Sequence, residues 1–306
     1  MSTNPAAPRL VKRQRRRTSA NKLSMRRGVP LREAVLGGFT RILAHARSAA
    51  RRACADPIES VHDFRKSVRR ARAVVSLLRP SLGKTAAAGI TGELRRAFGP
   101  TGELRDTHIL LETLREVPSD DPARDPVLRA LEEEPGGDSA PAGEALRAGS
   151  RILQPLPGVL GVTLPRAYSM EDLARGIARG WRRTRRALER AASTGLDADF
   201  HEWRKRVKEL RYQVELLAST GSAELKRQEK ALSALAEELG RVTDLIVLRS
   251  ALASRQERGS LPAAPGLMES IRSAIGERSR ELLARGREAF AEPHKEFARR
   301  VLAERG

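Results

Sequence analysis

The feature that most constrains this chain is a repeat within it. Val61-His62-Asp63-Phe64-Arg65-Lys66-Ser67-Val68-Arg69-Arg70-Ala71-Arg72 aligns with Phe200-His201-Glu202-Trp203-Arg204-Lys205-Arg206-Val207-Lys208-Glu209-Leu210-Arg211 at an offset of 139. Downstream, Gly102-Glu103-Leu104-Arg105-Asp106 aligns with Gly240-Arg241-Val242-Thr243-Asp244 at an offset of 138. Two matched segments at nearly one offset imply an internal duplication, so both halves must fold to one plan.

That plan is helical. Ala, Leu, Arg and Glu abound while aromatic residues make up 3% of the chain, and these side chains lose little rotamer freedom in a helix. No alternating apolar run bounded by turn residues reads as a strand. With 306 residues, 40% of them hydrophobic, the chain is long enough for a large core. The expected fold is all-α: two pseudo-symmetric four-helix bundles, residues 31–165 and 166–306, behind a disordered basic arm over residues 1–30.

Punctuation residues set the expected elements. Helix one runs from Leu31 to Cys54, and Asp56-Pro57 pairs a capping acid with a first-turn proline to start helix two, Ile58 to Arg79. Pro80 should end it. Helix three covers Thr85 to Val117 with an interruption at Gly99-Pro100. The Pro- and Gly-rich stretch from Pro118 to Pro165 reads as one or two short helical passages and a linker. Ser169 caps a helix reaching Ala192, with Glu171 and Asp172 in the first turn. Two more helices span Asp197–Thr220 and Ala223–Gln256, and a last stretch from Leu267 breaks at Pro293.

The repeated segment carries two stripes. At about 100° per residue, His62, Arg65, Arg69 and Arg72 share one face, with Lys66 beside them. Val61, Phe64, Val68, Ala71, Val75 and Leu78 form an apolar stripe a quarter-turn away. In the second copy His201, Arg204, Lys208 and Arg211, with Lys205, are the polar set. Phe200, Trp203, Val207, Leu210, Val214 and Leu217 are the apolar set. Cations one turn apart lie about 5–6 Å from each other and repel; a chain of phosphates relieves that repulsion, and the guanidinium fork can hold two phosphate oxygens at once. A single basic helix face is ordinarily solvated surface, and a lone histidine beside it a structural hydrogen-bonder. Two copies matched in histidine, arginine and apolar phase are not accounted for in that way.

The doubled motif resembles the conserved histidine α-helical domain family, CHAD. Its hallmark is a His-x-x-Arg-[Lys or Val]-x-x-[Lys/Arg]-x-x-Arg helix occurring twice, each followed by a helix with a Gly-x-x-x-Asp segment. Arg211-Tyr212 completes the second copy, and the resemblance spans Leu31 to the C-terminus. It implies two four-helix bundles related by a pseudo-twofold axis, inorganic polyphosphate as ligand in a basic central groove, and residence on polyphosphate granules in the cytoplasm. Some members add a triphosphatase domain with an alternating Glu-x-Glu-x-Lys motif; none occurs here, so that activity is not implied. Two departures are the Gly99-Pro100 interruption and a proline-rich fourth helix in the first half.

The charge agrees with an anionic partner. The formal net charge is +20, and the first thirty residues hold nine basic side chains and no acid, leaving +11 for the rest. The arm around Lys12-Arg13-Gln14-Arg15-Arg16-Arg17 is a candidate nucleic-acid contact. Further cations expected to extend the track are Arg95, Arg96, Arg182, Arg183, Arg186, Lys226, Arg227 and Lys230. Asp106 and Asp244, one helix after each stripe, are expected to be structural, each holding an Arg or His. The single Cys54 permits no internal disulfide, as in a reducing cytosol, and no apolar run reaches membrane-spanning length.

Two rivals follow from the same residues. A metal phosphohydrolase would use His62-Asp63 with His45 and Asp106; the second copy replaces Asp63 by Glu202 and His45 by Thr184 but keeps the cations. A nucleic-acid binder fits the charge, but Phe64 and Trp203 fall on the apolar stripe and leave few rings for base stacking. The expectation is binding without catalysis: no catalytic residue, no metal and no cofactor.

Overall fold

The computed structural model describes residues 29–99, 106–133, 140–218 and 223–303. The basic arm, Gly102 and Arg105 lie outside the described residues. Among those described, every regular element is an α-helix: α1 Leu31–Arg52, α2 Pro57–Phe98, α3 Asp106–Glu116, α4 Arg124–Glu133, α5 Ala140–Leu153, α6 Leu156–Thr163, α7 Met170–Thr194, α8 Asp197–Ala218, α9 Ala223–Glu257, α10 Pro265–Ala289 and α11 His294–Ala303.

The capping residues act as their chemistry requires. Asp56 accepts the Glu59 amide at 3.1 Å, with Pro57 opening α2. Ser169 and Asp172 form a reciprocal capping box at the start of α7. Gly195 ends α7 in the left-handed region at φ 64°, where only glycine is unstrained.

Two expectations need correction. Pro80 does not stop its helix. Proline removes the amide that would bond the Ser76 carbonyl. That oxygen instead accepts from Arg179 Nη1 at 3.4 Å, and the break falls three residues later at Gly83, φ 77°. The stretch from Pro118 to Pro165 contains three helices, α4 to α6, because its apolar residues find a core: Val127, Leu131, Leu146, Leu153, Leu156 and Leu160 are all buried. The passage expected over Thr85–Val117 with an interruption at Gly99-Pro100 is the second arm of α2, ending at Phe98 with Gly99 as its cap, followed by the separate helix α3.

α1, α2, α5 and α6 pack together, as do α7, α8, α9 and α11, and α2 and α8 cross in the middle of one continuous core. The crossing is close because α7 presents small residues to it. An added Cβ at Gly176 would stand 2.1 Å from the Leu77 carbonyl oxygen, and one at Gly180 2.4 Å from Gln213 Oε1. Trp181 stacks on Phe297, centroids 3.7 Å apart, seating α11 on the back of α7. A second core joins α3 and α4 to α9 and α10, around Leu114, Leu131, Leu248, Leu252 and Leu267, so it draws on both halves of the chain.

Candidate anion-binding site

The apolar stripe of each repeated helix is buried to the last residue: Phe64, Val68 and Val75 on α2, and Trp203, Val207 and Val214 on α8, have no exposed surface. Burying that face fixes the rotation of both helices and therefore where the cations stand. His62, His201 and Lys205 are exposed, while Arg65, Lys66, Arg69, Arg72, Arg204, Lys208 and Arg211 are half-buried.

On the second copy, α9 forms the support. Arg204 Nη1 donates to Asp244 Oδ1 at 3.4 Å. Gly240 lies one turn before, where a Cβ would stand in ordinary contact, 3.5 Å from Arg204 Nη2, so the Gly-x-x-x-Asp segment lies along this guanidinium and its Asp supplies the counter-charge. Arg211 Nη1 donates to Ser233 Oγ at 3.1 Å. The Nε atoms of Arg72, Arg204 and Arg211 are buried, so each guanidinium meets solvent through its Nη groups. On the first copy the guanidinia of Arg65 and Arg69 lie 4.7 and 5.3 Å from the ring of Phe98, at the end of the second arm of α2. Asp106 begins α3, but its side chain lies outside the described residues.

The two stripes converge. Lys208 sits within Coulombic range of Arg69 on the other repeated helix, as well as of Arg204 and Arg211 on its own. Burial first, then Arg204 and Arg69, push its ammonium down to about 7, against a smaller opposing pull from Asp244. Lys66 is also lowered, by burial and Arg70 and by Arg211 across the crossing, with Glu215 opposing. Arg72 is lowered by burial, Arg95 and Arg206. His201 falls below its ordinary value through burial and the neighbouring Lys205 and Arg204. Where the helices touch, Arg70 and Glu215 form a buried ion pair, Ser76 donates to Glu209, and Gln213 Nε2 donates to the Ala73 carbonyl at 3.2 Å.

A match to known sequences decides the family. The family model described as CHAD domain matches residues 34–253. The chain belongs to the CHAD domain family. Two solved structures share the fold. The first is the CHAD domain from the plant Ricinus communis, 24% identical, TM-score 0.53, with 93% of this chain and 95% of that one covered. The second is PptA from Streptomyces chartreusis, 17% identical, TM-score 0.54, with 86% and 98% covered. Among curated proteins none matches.

The other cations singled out from the sequence take several places in this CHAD fold. Arg95 is exposed yet close enough to act on Arg72; Arg96 pairs with Glu93 at 2.8 Å. Arg183 points at the crossing, donating to Glu209 Oε1 at 3.1 Å and Ser76 Oγ at 3.3 Å. Arg182 and Arg186 are on another flank of α7, beside His294 and Lys295 of α11. Lys226 and Lys230 are exposed at the start of α9, where Arg227 pairs with Glu224. Phe98, Arg179 and Arg206 were not singled out. Arg206 lies inside the second motif, but its counterpart is Ser67, so a reading based on what the repeat preserves passes over it.

Two residues of the hydrolase rival, His45 and Asp63, have other partners. His45 Nδ1 is 3.1 Å from Ser67 Oγ, tying α1 to α2; its counterpart Thr184 ties α7 to α8 through the Arg206 carbonyl at 3.3 Å. Asp63 pairs with Arg52 at 3.0 Å. Among the described residues no group of three or more His, Cys, Asp or Glu side chains is placed to hold a metal ion, and no helix is long and apolar enough to cross a membrane.

Proposed function

We propose that the chain binds inorganic polyphosphate along the paired cation stripes of α2 and α8, without cleaving it, and that it does so on cytoplasmic polyphosphate granules. The observation that carries the reading is the meeting of Arg69 and Lys208. These two occupy the same position in the two copies, at the offset of 139, and act on one another across the crossing. Two residues related by the repeat can be neighbours only near the axis that relates the copies. The contacts beside them obey the same exchange: Arg70 with Glu215 on one side, Glu209 with Ser76 on the other. A shared groove with one stripe on each wall accounts for both.

A linear anion with a charge on every unit suits that arrangement, because each phosphate offsets the repulsion between neighbouring cations and the half-buried setting weakens solvent screening. Polyphosphate is also the ligand attributed to the CHAD family. Duplex or single-stranded nucleic acid is the competitor to exclude. Trp181, Trp203, Phe39 and Phe64 are fully buried, and Phe98 lies under two arginines, so a base finds no free aromatic platform on these residues.

A competition titration tests the proposal: labelled long-chain polyphosphate displaced by unlabelled polyphosphate, duplex DNA and RNA at matched phosphate concentration and fixed salt. Polyphosphate is expected to displace at the lowest concentration, with affinity falling steeply as salt rises. Equal displacement by DNA or RNA overturns the specificity. Time-dependent orthophosphate release abolished by His62→Ala overturns the binding-only reading.

A further inference from the structure

Opposite the stripe, on the flank of α8 that faces α7, a second group of cations gathers around one carboxylate. Arg206 Nη1 donates to Glu209 Oε2 at 2.8 Å and Arg183 Nη1 to Glu209 Oε1 at 3.1 Å, so each oxygen of that carboxylate is held by a different guanidinium. Ser76 adds a hydroxyl to Oε1. Arg179 reaches Ser76 from the same face of α7, one turn before Arg183. Arg79 acts on both Arg179 and Arg183, and Arg72 acts within reach of Arg206 and Glu209. Four guanidinia, those of Arg72, Arg179, Arg183 and Arg206, thus act on Glu209, and Arg79 stands beside two of them, so five from three helices gather here; among the described residues the other acid of the group is Glu202, bound to Arg206. Among the described residues, no carboxylate lies within ion-pair distance of Arg72, Arg79 or Arg179.

This cluster is not part of the repeated stripe. Subtracting the offset from Arg179, Arg183 and Arg206 gives Thr40, Ala44 and Ser67, so the other side of the crossing has no equivalent. There the corresponding space holds the closed, buried pair of Arg70 and Glu215. Apart from Arg72, which belongs to the stripe, the duplication motif therefore neither requires nor explains these cations. Their crowding is costly: burial together with Arg183 and Arg79 brings Arg179 down to about 10. The way the Glu209 carboxylate is held indicates the ligand chemistry, two oxygens of one anion shared between guanidinia with a hydroxyl alongside, which is how arginine receives a phosphoryl group. The surplus of three positive charges calls for a compact, multiply charged anion.

We propose that Arg79, Arg179, Arg183 and Arg206, joined to the stripe through Arg72, form a second phosphoanion site that takes a compact oligophosphate and makes the track asymmetric. The proposal builds on the polyphosphate reading but makes a separate claim. An oligophosphate seats in the cluster beside Glu209, whereas a long chain also needs Arg69 and Lys208.

The test is calorimetric titration of the full chain with tripolyphosphate and, separately, with long-chain polyphosphate. Arg179→Gln/Arg183→Gln is expected to weaken tripolyphosphate by about tenfold or more, two charge-assisted contacts being lost, and long-chain polyphosphate by less. Arg69→Ala/Lys208→Ala is expected to do the reverse. Because the first variant also removes contacts to Ser76 and Glu209, Glu209→Gln supplies an independent arm: deleting the competing carboxylate should tighten tripolyphosphate. Tripolyphosphate affinity unmoved by Glu209→Gln, or lost only in Arg69→Ala/Lys208→Ala, overturns the cluster while leaving long-chain binding intact. Tripolyphosphate binding at the cluster with no long-chain binding at all overturns the polyphosphate reading and keeps the cluster.

Discussion

Lys208 offers the sharpest test of the groove, because its charge depends on what lies beside it. In the free protein it is held at about 7 by burial and by Arg204, Arg69 and Arg211, with Asp244 of α9 pulling the other way. A phosphate chain laid against those arginines cancels the repulsion, and the ammonium returns toward its ordinary value near 10.4. Above pH 7 the free protein must therefore take up a proton to bind, and in this one-proton limit affinity falls about tenfold for each further pH unit. His201, held below its ordinary value by burial and by Lys205 and Arg204, contributes less to the slope as pH rises. Folding stability should move oppositely. Between pH 7 and about 10 the unfolded chain binds more protons at this lysine than the folded one, so the free protein gains stability as pH rises through that window. Fluorescence anisotropy with long-chain polyphosphate from pH 6.5 to 8.5, at constant ionic strength, measures the affinity slope. Titration calorimetry in buffers of different ionisation enthalpy counts the proton. Lys208→Met should flatten the slope and abolish the uptake. A wild-type affinity independent of pH, or an unchanged slope in Lys208→Met, refutes the placement of this lysine against the ligand.

Three further substitutions probe the scaffold. Asp244→Ala, which frees Arg204, should lower stability by about 1 kcal/mol, read as a fall in Tm and small because the pair is partly exposed, and weaken polyphosphate binding; lost affinity with an unchanged melting curve would assign Asp244 to the ligand instead. Glu215→Ala leaves Arg70 buried beside Lys66 and Arg211 and should cost about 3–5 kcal/mol in denaturant unfolding, most of it recovered in Arg70→Met/Glu215→Leu; equal losses in both would show that packing, not charge, holds the crossing. Gly176→Ala drives a methyl onto the Leu77 carbonyl and should destabilise by about 1–3 kcal/mol, more than Gly180→Ala, whose obstacle is the movable end of Gln213; the reverse order would refute the close approach of α7 to α2.

Much of the fold could be read in the chain because its punctuation is chemically unambiguous. Asp56-Pro57, Ser169 with Asp172, and Gly195 each end or begin a helix for reasons contained in a few adjacent residues. Pro80 misleads because its effect depends on a residue a hundred positions away. The carbonyl it orphans is met by Arg179, and nothing local announces that donor. The segment between Pro118 and Pro165 is similar. Its short helices are stabilised by burial against partners from both halves, Leu131 against the α9 and α10 core and Leu146 against α1 and α2, and isolated helices of that length are marginal.

The stripes could be read for the same reason the fold could: a helix that buries Phe64, Val68 and Val75 has only one way to turn its arginines, and the second copy says so again. What periodicity cannot give is the relation between the copies. Whether two cation faces look away from each other or meet is decided at the crossing, by Gly176 and Gly180 letting α7 close in and by Gln213 and Glu215 reaching α2. Repetition also biases the search. Looking for what both copies share selects Arg69 with Lys208 and Arg72 with Arg211, and discards Arg206 because Ser67 stands opposite. Yet an anion responds to charge wherever it is placed, and the five guanidinia of the Glu209 cluster concentrate more of it than any one turn of the stripe. After a duplication, the positions that have diverged are where the two ends of a linear ligand can be told apart.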